Sequence, residues 1–531
     1  MKNGRRNTMN IRMVVLGPGL IILMLFLSTW TPVVKISTHE ANNEWPSRNP
    51  HMGIDAEGNT YVVWEGYTVK DSVVFWTKVD SEGNPGTVMK LSDGEHIAGS
   101  KDYLVDIAVD RQGNSYVTWT RSLNNDSDVY WVRIDPSGMC SEILNISCDA
   151  EYVTNNNWNS QIAIDAQGNS YVVWQGFDGE RDSGSNADIY WVKINDKGET
   201  SDMAKISTHG DNKLYGDINP QIAVDRQGNS HVIWQGCDKV DCWKEPGDFE
   251  IYWVRVSAQG VPGIVKKIPP TDPDNVNTLA MVPQIAVDGA ENSYIVWSGQ
   301  NRNSFDVYWV KISSSGKERI AHAVSQYADE IDRDDFGPRI ILDNQGNSYI
   351  TWQGFDGNDK EIYWIKIDAS EMMGRVVRVS NYVGSSFHDD PDPEIAVDGS
   401  GNSYIVWESF NFGVAKDFDH RILWVKVNPE GEATKVKDIS KYSVSNHFDR
   451  YCEIAVTNSG KSYVVWEGED ESKQDHIFLT ADIRSHARMN LYAMLLLMSM
   501  GASVFIFLLY RRRKLKSTKR EKDSENKKNL L

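Results

Sequence analysis

Eight copies of one segment constrain this chain more than any other feature. One copy reads Gln161-Ile-Ala-Ile-Asp165, Ala-Gln-Gly-Asn169 and Ser170-Tyr-Val-Val-Trp174. After a loop it continues as Asp188-Ile-Tyr-Trp191-Val-Lys-Ile194, a turn around Gly198, and Ala204-Lys-Ile-Ser207. The Asp that closes the first segment recurs at Asp55, Asp110, Asp165, Asp225, Asp288, Asp343 and Asp398, with Thr457 in the eighth copy. The intervals are 55, 55, 60, 63, 55, 55 and 59 residues. A period of this length marks units that bury their faces on one another.

Each segment is short, rich in Val, Ile, Tyr and Trp, and bounded by Gly, Asn or Asp, which predicts strands. Four strands per copy make one antiparallel sheet. Tyr171-Val-Val-Trp174 is apolar on both alternating faces, so both faces of the sheet need cover. A stack of sheets meets that need, and a propeller is its closed form. The tryptophans follow the same period. Trp64, Trp119, Trp174, Trp234, Trp297, Trp352, Trp407 and Trp466 end the second strand. Trp76, Trp131, Trp191, Trp253, Trp309, Trp364 and Trp424 sit in the third, with Leu479 in the last copy. Use in every copy predicts packing between blades rather than a sugar-stacking ladder.

The eighth copy has no fourth strand. Val33-Val-Lys-Ile-Ser37-Thr-His39 matches Ala204-Lys-Ile-Ser207-Thr-His209 and supplies it from the other end. The expected fold is all-β: an eight-bladed β-propeller over residues 33–486, closed by an N-terminal strand that completes the last blade. Such closure removes exposed sheet edges.

The unit Ile222-Ala-Val-Asp-x-x-Gly-Asn-x-x-Val-x-Trp234 resembles the repeats of sialidase-like and Asp-box-like propellers, and also NHL-type repeats. The resemblance covers residues 33–483. It implies a propeller whose innermost strand is the Ile-Ala-Val-Asp segment. It implies no activity, because such folds host many functions. A sialidase needs several arginines for the substrate carboxylate and a Tyr–Glu pair.

Charge divides the chain. Residues 1–32 carry Lys2, Arg5, Arg6 and Arg12 and no acid, and residues 487–531 carry 11 basic and 3 acidic residues. Subtracting +4 and +8 from the net −19 leaves −31 on residues 33–486. That acidity excludes a nucleic-acid binder. Met13–Leu27 is an apolar run behind a basic flank, so residues 1–32 read as a signal peptide or an uncleaved signal anchor. Asn490–Tyr510 is long enough to cross a bilayer as a helix. Arg511-Arg512-Arg513-Lys514 places the tail, 511–531, in the cytoplasm and the propeller outside.

The turns such as Asp165–Asn169 and Asn195–Gly198 are short and share one face. The other face carries long, variable connections: Gly176–Asp188, Gly236–Glu250, Asp329–Pro338 and Ser385–Pro393. Variable loops on a rigid scaffold are where binding sits. The last blade's third strand ends on the short-turn face, so that face should meet the membrane. The position before each inner strand should ring the channel mouth: His51, Asp106, Gln161, Gln221, Gln284, Arg339, Glu394 and Glu453. With Arg339 as the ring's one arginine, sialidase chemistry is not expected.

Other carboxylates are candidates for a glycosidase pair: Asp178 and Asp356 in matched Gly-Phe-Asp-Gly loops, and Glu65, Glu408 and Glu467 after the second-strand tryptophans. The Asp-x-x-Gly-Asn segment reads as a hairpin turn rather than a calcium loop, since it lacks dense oxygen-ligand spacing. No cofactor or metal is expected. Cys237 and Cys242 share one outward loop and can form a disulfide. Asn145-Ile-Ser147 matches the glycosylation acceptor pattern. The function expected first is a membrane-anchored, non-catalytic module that binds glycan or an envelope protein. A surface glycoside hydrolase and a structural envelope spacer are the alternatives.

Overall fold

The computed structural model describes residues 11–15, 21–25, 30–37, 46–67, 71–92, 99–124, 126–148, 154–178, 187–207, 216–237, 249–268, 279–301, 304–325, 334–355, 357, 359–380, 388–411, 419–440, 448–470 and 473–482. The chain divides into two compact units. One comprises Met1–Thr29 with Ile483–Leu531, and the other is Trp30–Asp482. In the first, strands Ile11–Val15 and Ile21–Leu25 pair antiparallel. Asn490–Tyr510 lies outside the described residues, among which no helix is long and apolar enough to cross a membrane.

The second unit is all-β and of the propeller kind. Blade 4 shows the plan. Its strands are Ile218–Val224, Ser230–Cys237, Phe249–Val256 and Lys266–Lys267, each antiparallel to the next in that order. The other blades repeat it. Blades 1 and 2 share one parallel bridge, Ser72↔Lys101. Blade 7 splits its inner strand into His388–Asp389 and Glu394–Val397. Blade 8 combines Arg450–Val456, Ser462–Glu469 and Asp475–Asp482 with Val34–Lys35 from the other end of the chain.

The second strand is buried on both faces because each blade packs between two neighbours. One apolar cluster joins Trp131 of blade 2 to Trp174 of blade 3. Another joins Val465 and Leu479 of blade 8 to Val62, Trp64 and Val73 of blade 1. The eighth sheet thus packs on the first. Five of the third-strand tryptophans, Trp76, Trp131, Trp191, Trp253 and Trp364, donate their Nε1–H to the serine that opens the next blade's second strand. Trp76 reaches Ser115 at 3.1 Å, Trp191 reaches Ser230 at 3.0 Å, and Trp364 reaches Ser403 at 3.0 Å. These buried indoles serve blade contact, as their period predicts.

The Asp-x-x-Gly-Asn turn is built as a turn. In blade 3, Asp165 Oδ1 accepts the N–H groups of Gln167 and Asn169, both at 2.9 Å. Its Oδ2 accepts Asn169 Nδ2 at 2.6 Å and the Tyr171 hydroxyl at 2.8 Å. Gly168 takes φ +82°, which a Cβ would strain. Four donors occupy the carboxylate. Among the described residues no group of three or more His, Cys, Asp or Glu could hold a metal ion.

The expected clasp is present. Val34 pairs with Leu479 and Lys35 with Phe478. Ile36 N donates to Ile477 O at 2.9 Å, and Ile477 N donates to Ser37 Oγ at 3.0 Å. Blade 3 makes the same two bonds with Ile206 and Ser207 to Ile189. Trp30 bridges Asp482, and Asp482 pairs with Ser462 beside the Thr457–Lys461 turn. Both ends of the propeller unit therefore lie on the short-turn face.

A tryptophan-x-glycine pattern closes most second strands. The indole N–H of Trp234 donates to Asp217 Oδ1 at 2.8 Å, and that of Trp466 to Asp449 Oδ1 at 3.0 Å. A Cβ on Gly236 would stand 2.5 Å from Asp217 Oδ1 and 2.7 Å from the Tyr252 ring. In blade 2 the glycine is replaced by Arg121, whose Nε grips Asp102 at 2.7 Å. Gly236→Ala is expected to destabilise the protein by about 2 kcal/mol, through overpacking beside a buried carboxyl. Denaturant titration checks this, and an unchanged midpoint would count against the proposed steric role.

Candidate functional site

The inner strands share a kink just before the eight candidate residues. Each carries a left-handed residue two places before its ring residue: Asn49, Leu104, Asn159, Asn219, Val282, Gly337, Asp392 and Tyr451, with φ from 50° to 64°. For Leu104, Val282 and Tyr451 this conformation is strained. The strain is held by a hydrogen bond from the preceding blade. In every blade but the second, the residue after the second-strand tryptophan accepts the kinked residue's N–H. Gln175 takes it from Asn219 at 3.0 Å, Gln353 from Asp392 at 3.1 Å and Glu65 from Leu104 at 2.6 Å. Glu467 takes it from Asn49 at 3.2 Å, and Glu408 from Tyr451.

Glu65, Glu408 and Glu467 are thus staples between blades, equivalent to glutamines elsewhere. They are 1 %, 5 % and 0 % exposed, too buried to meet a substrate. Burial raises the pKa of all three, to about 7 for Glu408. The sequence reading missed the kink. Its signal was there: Pro50, Pro220, Pro283, Pro338 and Pro393 each follow the left-handed residue.

Past the kink, the eight ring residues are all half-buried or partly exposed at equivalent inner-strand positions. His51 Nδ1 lies 2.8 Å from Glu453 Oε1, and Glu453 Oε2 accepts Met52 N at 2.8 Å. Arg339 Nε donates to Glu394 Oε1 at 2.7 Å. Asp106 accepts Ile107 N at 2.8 Å and Ile162 N at 3.0 Å. The charges act on one another across blades. Burial opposes the charged form of His51, but the adjoining Glu453 carboxylate outweighs it, and the pKa rises to about 9. Burial raises Glu394, against the pull of Arg339.

The ring is therefore asymmetric. Blades 6, 7, 8, 1 and 2 supply Arg339, Glu394, Glu453, His51 and Asp106, while blades 3, 4 and 5 supply Gln161, Gln221 and Gln284. At the loop-face ends of the strands, Leu104, Trp158, Phe355, Phe448 and Tyr451 are 37 to 51 % exposed. Amide and charged hydrogen-bonding groups at Asp106, Gln161 and Glu453 thus follow exposed Leu104, Trp158 and Tyr451 by two or three residues along the inner strands.

The remaining sequence candidates fare differently. Asp178 ends the second strand of blade 3, and Asp356 lies outside the described residues. Cys237 is disulfide-bonded and Cys242 lies outside the described residues, whereas Cys140, Cys148 and Cys452 are free. The acceptor-pattern Asn145 donates to Asp128 Oδ2 at 3.0 Å, and Ser147 Oγ accepts Val129 N at 3.0 Å. That serine is the fourth-strand cap found as Ser207 in blade 3.

No family model and no curated protein matches the chain. Among solved structures, the chain is similar to the polysaccharide lyase Uly1, at 8 % identity and a TM-score of 0.45, covering 76 % of this chain and 98 % of that one. It is similar to the GH93 α-L-arabinofuranosidase of Fusarium graminearum, at 11 % identity and a TM-score of 0.39, covering 65 % and 99 %. It is also similar to the NanB sialidase of Streptococcus pneumoniae, at 10 % and 0.35, covering 85 % and 94 %.

Proposed function

We propose that the eight sheets form a closed propeller tethered outside the cell by Asn490–Tyr510, and that its loop face binds glycan or an envelope protein without catalysis. The observation that carries this reading is the set of eight half-buried polar side chains at equivalent inner-strand positions, three of them two or three residues past exposed Leu104, Trp158 and Tyr451. Aromatic faces accept the C–H face of a sugar or an apolar side chain, and convergent polar groups fix its orientation. Both ends of the propeller unit lie on the opposite face, so a tether leaves the loop face open.

Glycan arrays and pull-downs from envelope extract, using the full chain, test this. Gln161→Ala with Gln221→Ala and Gln284→Ala is expected to weaken retention about tenfold or more, equivalent to about 1.4 kcal/mol. Gln161 makes one side-chain bond, to its neighbour Ser160 O, so the melting temperature should hold. A wild-type chain that retains nothing in either assay would favour the spacer reading.

The second reading, a glycoside hydrolase, rests on Glu394 and Glu453. Both lie in the ring, and burial favours the protonated form of Glu394. A proton-holding carboxyl opposite a second carboxylate is what such chemistry needs. Turnover of aryl glycosides, abolished in both Glu394→Gln and Glu453→Gln, would place this reading first.

A further inference from the structure

We propose that the outer turns of blades 4, 5 and 6 rest in the headgroup layer of the membrane, so that the propeller lies flat on its short-turn face. The proposal rests on the tethered reading above, and it adds a second contact far from the tether.

Eleven large hydrophobic side chains are exposed among the described residues, and their places are not random. Five stand at the loop-face ends of strands. The other six are in turns between third and fourth strands: Met139 at 72 %, Val261 at 64 %, Ile264 at 83 %, Ile320 at 75 %, Met372 at 69 % and Met373 at 40 %. Single exposed hydrophobes need no explanation, but a group confined to one rim marks a contact surface. Five of the six belong to blades 4, 5 and 6.

Those three turns adjoin. Lys266 of blade 4 donates to Gly316 O and reaches Glu318 Oε1 of blade 5 at 2.9 Å. Lys311 and Arg319 of blade 5 both stand 3.6 Å from Glu371 Oε1 of blade 6. The apolar side chains therefore share one continuous sector.

Two further observations name a lipid surface as the occupant. The first is position. These turns leave their blades at the same end of the third strand as Asp482 leaves blade 8. Trp30↔Asp482 is equivalent to Val256↔Pro262, Ile312↔Glu318 and Ile367↔Met373. Residues 483–489 separate Asp482 from the apolar run, which limits the gap to roughly 25 Å. In a ring of eight, blade 4 stands opposite blade 8. A tether at one edge and an apolar arc at the other hold a disc flat.

The second is charge. The blade 4 turn, residues 257–265, has no charged residue. In the turns of blades 5 and 6, Lys317, Arg319 and Arg375 balance Glu318, Asp368 and Glu371. The outer turns of blades 1, 2, 3 and 7 are net acidic: Asp80 and Glu82 in blade 1, Asp135 and Glu142 in blade 2, Asp196, Glu199 and Asp202 against Lys197 in blade 3, and Glu430 and Glu432 against Lys435 in blade 7. Within a strongly acidic ectodomain, the turns of blades 4 to 6 together carry no net charge, so this sector repels anionic lipid least. Apolar residues flanked by Lys and Arg suit the headgroup boundary.

The test uses the full chain with Cys140→Ser and Cys148→Ser, reconstituted in phosphatidylcholine–phosphatidylglycerol vesicles. Ile264→Cys and Ile320→Cys each carry an environment-sensitive fluorophore, and Phe355→Cys on the loop face is the reference. Both turn sites are largely exposed, so the substitutions spare the core. Lipid-borne nitroxide is expected to quench the fluorophore at 264 and 320 at least twofold more than at 355. Release of the chain by alkaline carbonate would overturn the tether and this proposal together. A chain that stays in the membrane with labels at 264 and 320 quenched no more than at 355 would overturn the flat orientation alone. Labels shielded from aqueous iodide yet untouched by the lipid quencher would show a protein on the rim instead, which also overturns it.

Discussion

Ile36→Asp is expected to destabilise the whole propeller by about 4 kcal/mol or more, the cost of an unpaired charge in an apolar site. Ile36 is 1 % exposed and packs in the cluster shared by Ile477, Leu479, Val62, Trp64 and Val73. That cluster is the contact between the last blade and the first. Asp at this place disturbs a fourth strand and a junction between blades at once. The equivalent Ile206→Asp, in blade 3, also buries a charge, but covalent connections continue on both sides of it. At blade 8 the clasp spans some 440 residues of chain. Its loss leaves unpaired third-strand groups and the exposed faces of two blades, and the ring opens. Limited proteolysis should therefore cut Ile36→Asp between blades throughout the unit, and Ile206→Asp near blade 3. Ile36→Val should cost only about 1 kcal/mol. If Ile36→Asp melts where the wild type does, the clasp does not hold the ring.

The clasp was legible in the sequence because the match is local: Lys35-Ile36-Ser37 repeats Lys205-Ile206-Ser207, and an incomplete eighth copy needed one strand. The blade order, the turn at Asp165 and the packing role of the tryptophans were legible for the same reason, since each follows from a period. Of the candidate site, the register of its residues was legible. Position within the repeat placed all eight ring residues on equivalent inner-strand sites. It did not show that His51 meets Glu453 or that Arg339 meets Glu394, because those contacts cross between copies. Glu65, Glu408 and Glu467 were misjudged as catalytic candidates for a related reason. Read along the chain, a carboxylate after a tryptophan looks available. In space it faces the kinked backbone of the next blade, where Gln175, Gln235 and Gln353 perform the same task.

That equivalence leads to an expected gain in stability from Glu408→Gln. Burial raises the Glu408 carboxyl to about 7, with Asp392 and Glu467 adding to the rise, while the Tyr451 N–H and Arg450 oppose it. In the unfolded chain a glutamate titrates near 4.5. Between these values the native state holds a proton that the unfolded state has released. Stability therefore falls as pH rises from about 4.5 to about 7, by roughly 3 kcal/mol in all. Glutamine keeps an oxygen for the Tyr451 N–H and has no charge to bury. Glu408→Gln should match the wild type near pH 4.5 and exceed it by about 1–3 kcal/mol at pH 8. Asp390, 3 % exposed and also raised to about 7 by burial, adds a slope of the same sign. Asn157 holds the equivalent place in blade 3, where it accepts the indole N–H of Trp174 at 3.1 Å. Asp390→Asn should accordingly remove a further part of the pH dependence, and the double variant should be flatter than either. Urea midpoints from pH 4.5 to 8 decide the matter. A Glu408→Gln profile parallel to the wild type would mean that the carboxyl ionises freely, and the inter-blade staple would then be misassigned.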